Sequence, residues 1–232
     1  MPVISVFTPA AVGLIGSAAA YYSPYAWRLY RVSALRKRVI RDRTLILTYD
    51  DGPSSSTTPA VLDLLRRHDA KATFFMLGRS ADQNASIANR IVEEGHDVGC
   101  HSDRHLNAWK VNPWNAVGDI NAGYGKLAPW VAPDGMYRPP FGKMTLPTSY
   151  AIRLRGAYVG WWTIDSGDTR SPLPQPKLVA DRLVREGGGI VLMHDLDRSS
   201  DRNDFVLETT ALLLDIAERE SFNIKRLSEL CQ

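Results

Sequence analysis

The stretch Thr44-Leu45-Ile46-Leu47-Thr48-Tyr49-Asp50-Asp51-Gly52-Pro53 decides how this 232-residue chain reads. A run of strand-forming residues ends in two adjacent carboxylates and a Gly-Pro turn. Neighbouring residues at a strand end point in different directions, so one acid can face a metal ion while the other faces a substrate. Downstream, His101 and His105 stand four apart in His-Ser-Asp-Arg-His. At that spacing two imidazoles share one side of a helical turn, or converge from a tight loop after a strand. Asp51 with the two histidines makes a ligand set that holds a divalent cation and leaves coordination positions open. Asp50 then remains free to act as a base in metal-assisted hydrolysis.

From residue 44 onward short apolar runs alternate with amphipathic segments, the pattern of βα units around a mainly parallel sheet. Strands are expected at 44–49, 72–77, 97–101, 136–138, 157–164, 189–194 and 222–224. Helices are expected near 58–68, 82–94, 113–127, 147–155, 176–186 and 204–220. Pro59 fits a first helical turn, and Gly95 and Gly187 stand where helix stops belong. Seven strands separated by helices predict an α/β barrel, a fold that carries its chemistry at strand C-terminal ends. Every candidate residue falls at such an end.

Residues 1–43 form a leader of different character. They carry seven of the 28 Lys and Arg residues and one of the 25 Asp and Glu, leaving 21 basic against 24 acidic side chains in residues 44–232. No basic stripe interleaved with aromatics follows residue 43, which argues against a nucleic-acid partner. Pro9 and Pro24 bracket 14 residues, short against the ~20 that span a bilayer. The uncharged start admits three readings: a signal peptide ending at Ala18-Ala19-Ala20, an inserted segment followed by arginines that keep the body cytoplasmic, or a helix lying on a membrane or capping the barrel. Membrane-linked or cytoplasmic placement ranks first, with membrane contact through residues 1–43. Cys100 and Cys231 lie outside any metal spacing and make no disulfide framework; Cys100 reads as a small buried hydrophobe.

Three further groups carry chemistry. His194 ends the apolar run Gly-Ile-Val-Leu-Met-His and is placed to donate a proton to a leaving group. Asp168 could orient that imidazole, with Asp165 as competitor. In Arg138-Pro139-Pro140-Phe141-Gly142 two prolines stiffen a loop whose Phe141 N–H can bond an oxyanion.

In order, Thr-Tyr-Asp-Asp-Gly-Pro, His-Ser-Asp-Arg-His, Arg-Pro-Pro-Phe-Gly, Asp-Ser-Gly-Asp-Thr and Leu-Met-His resemble the motifs of the polysaccharide deacetylase family, the NodB homology domain or carbohydrate esterase family four. The likeness covers roughly residues 44–230 and implies a distorted (β/α)7 barrel, resembling a TIM barrel, as the domain 44–232. It implies removal of N-acetyl, sometimes O-acetyl, groups from carbohydrate. By the same resemblance Asp50 is the base, and Asp51, His101 and His105 hold the ion, zinc first and cobalt second. Arg138 positions the base, Phe141 supplies the oxyanion N–H, Asp168 tunes His194, and His194 is the acid. Leu192 forms part of the acetyl pocket, and Thr169 stands where the family usually has the tryptophan that lines it. Trp161 or Trp162 is the candidate to fill that space, and Pro139 and Trp162 are further substrate-binding candidates. Trp109, Trp114 and Trp130 are candidates for stacking on sugar rings. The expected substrate is an N-acetylglucosamine polymer or oligomer of chitin or peptidoglycan type. O-acetyl xylan or another amide is the alternative, with an inert carbohydrate-binding protein or an Fe(II) oxygenase more remote.

Overall fold

The computed structural model describes the backbone of residues 9–231 and the side chains of residues 19–230. Its centre is β1 (Thr44–Asp50), buried at every position. On one side lie β2 (Thr73–Met76) and then β3 (Asp97–Cys100). On the other lie β5 (Gly189–His194) and then β4 (Ile164–Asp165), while β6 (Asn223–Ile224) pairs with the start of β1. All these pairings are parallel.

Two expected strands are mostly irregular. The one at 136–138 reduces to a bridge between Cys100 and Tyr137, and the one at 157–164 to a bridge between Tyr137 and Val159, followed by β4. The stretch 157–165 closes the barrel in two steps. Tyr158 and Gly160 bond to Tyr137, and then Thr163 and Ser166 donate to the carbonyls of Ile190 and Leu192. The physical reason lies inside: the Phe75 ring fills the barrel, and a Cβ on Gly99 or Gly160 would collide with it. Glycine lets the wall close around the ring, within the regular ladder of β3 at Gly99 and in the irregular stretch at Gly160.

Helices α2 (Thr57–Arg67), α5 (Pro113–Leu127), α6 (Leu146–Leu154), α7 (Pro176–Glu186) and α8 (Ser200–Arg219) start and end within a few residues of expectation. The helix expected at 82–94 is instead two, α3 (Gly78–Gln83) and α4 (Ala85–Glu93). The break is at Asn84, whose side-chain amide donates to the carbonyls of Pro53 and Ser80.

The leader forms a continuous helix, α1 (Pro9–Arg41), through Pro24 rather than stopping there. Proline removes the N–H that would bond the Ala20 carbonyl, and the Ser23 hydroxyl donates to that carbonyl instead at 2.8 Å. Among the described residues no helix is long and apolar enough to cross a membrane. Leu35 and Val39 sit in the same apolar core as β1, and Gly188 has no room for a side chain against the Val39 carbonyl. The leader's arginines pin the irregular wall: Arg36 donates to the Thr163 carbonyl at 3.1 Å, and Arg31 lies 5.4 Å over Tyr158. Much of the basic excess therefore faces the body of the protein. Val39→Ala removes two buried methyls and should lower stability by about 2 kcal/mol, read as a drop in thermal midpoint.

Candidate active site

Asp50 on β1 stands in register with His194 on β5, so the two side chains lie abreast at the barrel mouth. Arg138 is fully buried beneath them. Its Nη1 donates to Asp50 Oδ1 at 2.7 Å and to Thr48 Oγ1 at 2.8 Å, and its Nε donates to the Gly160 carbonyl at 2.9 Å. Its guanidinium lies 4.0 Å over the Phe75 ring. Burial pushes the Asp50 carboxyl above its ordinary range, and the Arg138 charge opposes that push without cancelling it.

Asp51 leaves the strand with φ 74°, a left-handed conformation that turns its carboxylate away from Asp50's partner. Its Oδ1 lies 3.5 Å from His101 Nε2 and 3.3 Å from His105 Nε2. That oxygen is buried and has no hydrogen-bond partner among the described residues. His101 Nδ1 donates to the Arg138 carbonyl at 2.7 Å, which leaves Nε2 with its lone pair directed at Asp51. Burial holds the His101 imidazole down at about 3 and lowers that of His105, so both are neutral, the form a metal ligand requires. One ligand atom from each of the three residues lies within 4.8 Å of the others. An orphaned carboxylate oxygen facing two imidazole nitrogens is a donor set that a divalent cation completes; the residues fit the ion.

Of the two geometries open to His-x-x-x-His, the chain takes the loop. Ser102 and His105 have φ 70° and 61°, strained values for residues with side chains. The Ser102 hydroxyl accepts the His105 N–H at 3.1 Å, and Asp119 on α5 accepts the Arg104 and Leu106 N–H groups at 2.9 and 3.2 Å. Gly123 lets α5 approach the Ser102 backbone, where a Cβ would collide.

His194 Nδ1 lies 3.0 Å from Asp168, which also accepts the His194 backbone N–H at 2.8 Å. Burial lowers the imidazole's pKa, but the Asp168 carboxylate outweighs it and lifts the group to about 9. The competitor Asp165 is exposed and accepts the Gly167 N–H instead. Phe141 has φ 56°, and its exposed ring rests 4.4 Å from that of His105. Leu192 and Pro139 are buried, and Trp162 is half-buried against Gly142, 5.6 Å from the Arg138 guanidinium. Thr169 is exposed. The three other tryptophans differ in use. Trp109 packs on Tyr22 and Tyr25 under Lys143, Trp130 donates to Asn89, and Trp114 projects from α5 at 80% exposure.

Several supporting residues escape the motif reading. Asp119 shapes the histidine loop; its signal in the sequence is an acid on the otherwise apolar face of α5. Asp195 is buried, accepts the Gly52 N–H at 3.1 Å and the Thr58 hydroxyl at 2.6 Å, and is pushed up to about 7 by that burial. Asp197 accepts the backbone N–H groups of Ser55, Ser56 and Thr57 and so ties the start of α2 to the loop after β5. Phe75 gives no sign in the sequence of its place under Arg138.

Neighbouring carboxylates shared out between a guanidinium and two imidazoles, at the C-terminal end of a parallel barrel, define the protein as a barrel hydrolase. The polysaccharide deacetylase family model matches residues 37–159, and the chain belongs to that family. It is 29% identical over 191 residues to a peptidoglycan-N-acetylglucosamine deacetylase of Bacillus cereus, covering 82% of this chain and 88% of that protein. It is 28% identical over 200 residues to a chitooligosaccharide deacetylase of Bradyrhizobium sp., covering 81% and 90%. The crystal structure of a peptidoglycan N-acetylglucosamine deacetylase superposes with TM-score 0.72 at 25% identity, covering 81% of this chain and 87% of that one. The protein is thus a carbohydrate deacetylase, as the motif order implies, and its distorted barrel is the one that resemblance predicts.

Asp168→Asn removes the charge that holds His194 protonated. The His194 ring titration, followed by NMR, should fall from about 9 toward the ordinary histidine value of ~6.5.

Proposed function

We propose that this deacetylase removes N-acetyl groups from N-acetylglucosamine-containing oligo- or polysaccharide of peptidoglycan or chito-oligosaccharide type, using a divalent cation held by Asp51, His101 and His105. The observation that carries the reading is the split between the two adjacent acids. Asp50 is bonded to Arg138, whereas Asp51 turns a partnerless buried oxygen toward two neutral imidazoles. The names of the relatives from Bacillus cereus and Bradyrhizobium sp. support the substrate class. Zinc is the first choice of ion and cobalt the second; when bound, it acts as a Lewis acid toward the acetyl carbonyl and water.

The remaining steps belong to the chain. Asp50, with its proton affinity raised by burial, takes the proton of the attacking water while Arg138 keeps the carboxylate aimed. The Phe141 N–H donates to the oxygen on which charge develops. His194, protonated at neutral pH beside Asp168, gives its proton to the departing sugar nitrogen, leaving acetate and a free amine. Leu192 lines the space for the acetyl methyl, with Pro139 and Trp162 as further substrate-binding residues. Because His194 must carry a proton, activity should fall as the pH rises through about 9.

Acetate release from chito-oligosaccharides, peptidoglycan and acetylxylan, each with and without chelator, tests the reading. Release from the first two that stops on chelation is expected; release from acetylxylan alone would overturn it. Asp50→Asn should keep the metal by elemental analysis yet lose about 10²–10⁴-fold in kcat, whereas His101→Ala should lose the metal itself.

Membrane contact through residues 1–43 also stands as a proposal. It is supported by exposed Trp27 and Tyr30 on α1, next to Arg31. Co-sedimentation with anionic vesicles should occur, and should be lost in Trp27→Ser/Tyr30→Ser.

A further inference from the structure

Arg28 is the first charged residue of the chain, and it lies far from every motif in sequence. In the fold α1 carries it to the loop that presents Phe141. Its guanidinium carbon lies 4.6 Å from the centre of the Trp162 ring, 5.1 Å from Trp161 and 5.8 Å from Tyr25. Its Nε is buried and has no hydrogen-bond partner among the described residues, so aromatic faces are its surroundings. A Cβ built on Gly142 would lie 2.7 Å from the Trp162 ring and 3.1 Å from the Arg28 guanidinium. Indole, guanidinium and Gly142 are therefore packed against one another. Trp162 in turn lies 5.6 Å from Arg138, the residue bonded to Asp50. Gly142 follows Phe141, whose φ of 56° is held in a turn closed by Gly142 N–H to Pro139 O at 2.9 Å and Lys143 N–H to Pro140 O at 3.0 Å.

We propose that Arg28 is a positioning residue for the deacetylase reaction: stacked on Trp162 and abutting Gly142, it clamps the 139–143 turn, so that the leader helix completes the active site. A strained turn keeps its conformation only where its surroundings over-determine it. The turn's outer side is met here by a side chain from outside the segment 37–159 that carries the family match. A planar guanidinium suits this place because it can lie flat on an indole while remaining charged.

This inference rests on the deacetylase reading, and two readouts separate the two. Hydrogen exchange of the 139–143 segment is measured in the parent, Arg28→Met and Arg28→Lys, together with kcat, KM and metal content. In Arg28→Met the Gly142 and Lys143 amides should exchange faster. Its kcat should fall about 10- to 100-fold, with KM within about threefold and metal content unchanged. Arg28→Lys, which keeps a cation over the ring, should recover part of both effects. Val39→Ala, at the far end of the same helix, should lower stability yet leave kcat within about twofold, which separates clamping from simple loosening of α1. Unchanged exchange in Arg28→Met overturns the proposal whatever the activity. So does a kcat within twofold of the parent, or a lysine variant as slow as the methionine one. A parent that releases no acetate while exchange responds as stated would sink the deacetylase reading and, with it, the catalytic half of this one.

Discussion

Taking a guanidinium and a carboxylate out of water costs several kcal/mol per ion, and their attraction repays this only when the remaining donors and acceptors are also met. Arg138 and Asp50 meet that condition in part through the barrel itself. One arm of the guanidinium serves Asp50 and Thr48, the Nε serves the Gly160 carbonyl, and the plane rests on Phe75. The rest of the site is arranged around this contact. The Arg138 carbonyl accepts from His101 Nδ1, so the same residue that bonds Asp50 also turns the His101 Nε2 lone pair toward Asp51. The Phe75 ring below explains why two wall residues, Gly99 in β3 and Gly160 in the bridged stretch, carry no side chain. Arg138→Ala would leave a buried charge without its partner, a much larger perturbation than a lost surface ion pair.

Around this rigid floor the mouth is built from strained loops. Asp51, Ser102, His105 and Phe141 all adopt positive φ values, and all four lie at the site. Each such residue costs on the order of 1–3 kcal/mol and persists only where neighbours hold it. The neighbours are identifiable: Asp119 and Gly123 from α5 for the histidine loop, and Asp195 and Asp197 for the loop after β1. Asp195 is notable for a proton affinity raised to about 7 while it accepts two hydrogen bonds.

The central strands are legible in the sequence because they are uninterrupted apolar runs, and a parallel strand buried on both faces needs nothing else. The site is legible because its chemistry needs particular side chains at strand ends, and Asp50, Asp51, His101, His105, Asp168 and His194 all converge in the fold. Residues 136–138 and 157–164 are harder. They pair through single bridges at Tyr137 and Val159, and Gly160 abuts the Phe75 ring, tertiary contacts that no local pattern encodes. Asn84 divides an amphipathic helix for the same kind of reason, a side-chain bond to the loop after β1. The leader's role is hidden because its composition speaks of membranes and charge, while its arginines bind carbonyls and rings distant in sequence.

That distance has a temporal meaning. Arg36 and the Thr163 carbonyl it holds are 127 residues apart, so at ~5–20 residues per second the ribosome takes roughly 6–25 s to deliver the second after the first. During that interval α1 can pack only on the part of the core already made, around β1 and β2, and lacks the 157–165 wall that Arg36 holds. The barrel's final closure on α1 is therefore a late, long-range event, and nascent chains stalled before residue 164 would leave Arg36 without the carbonyl it holds.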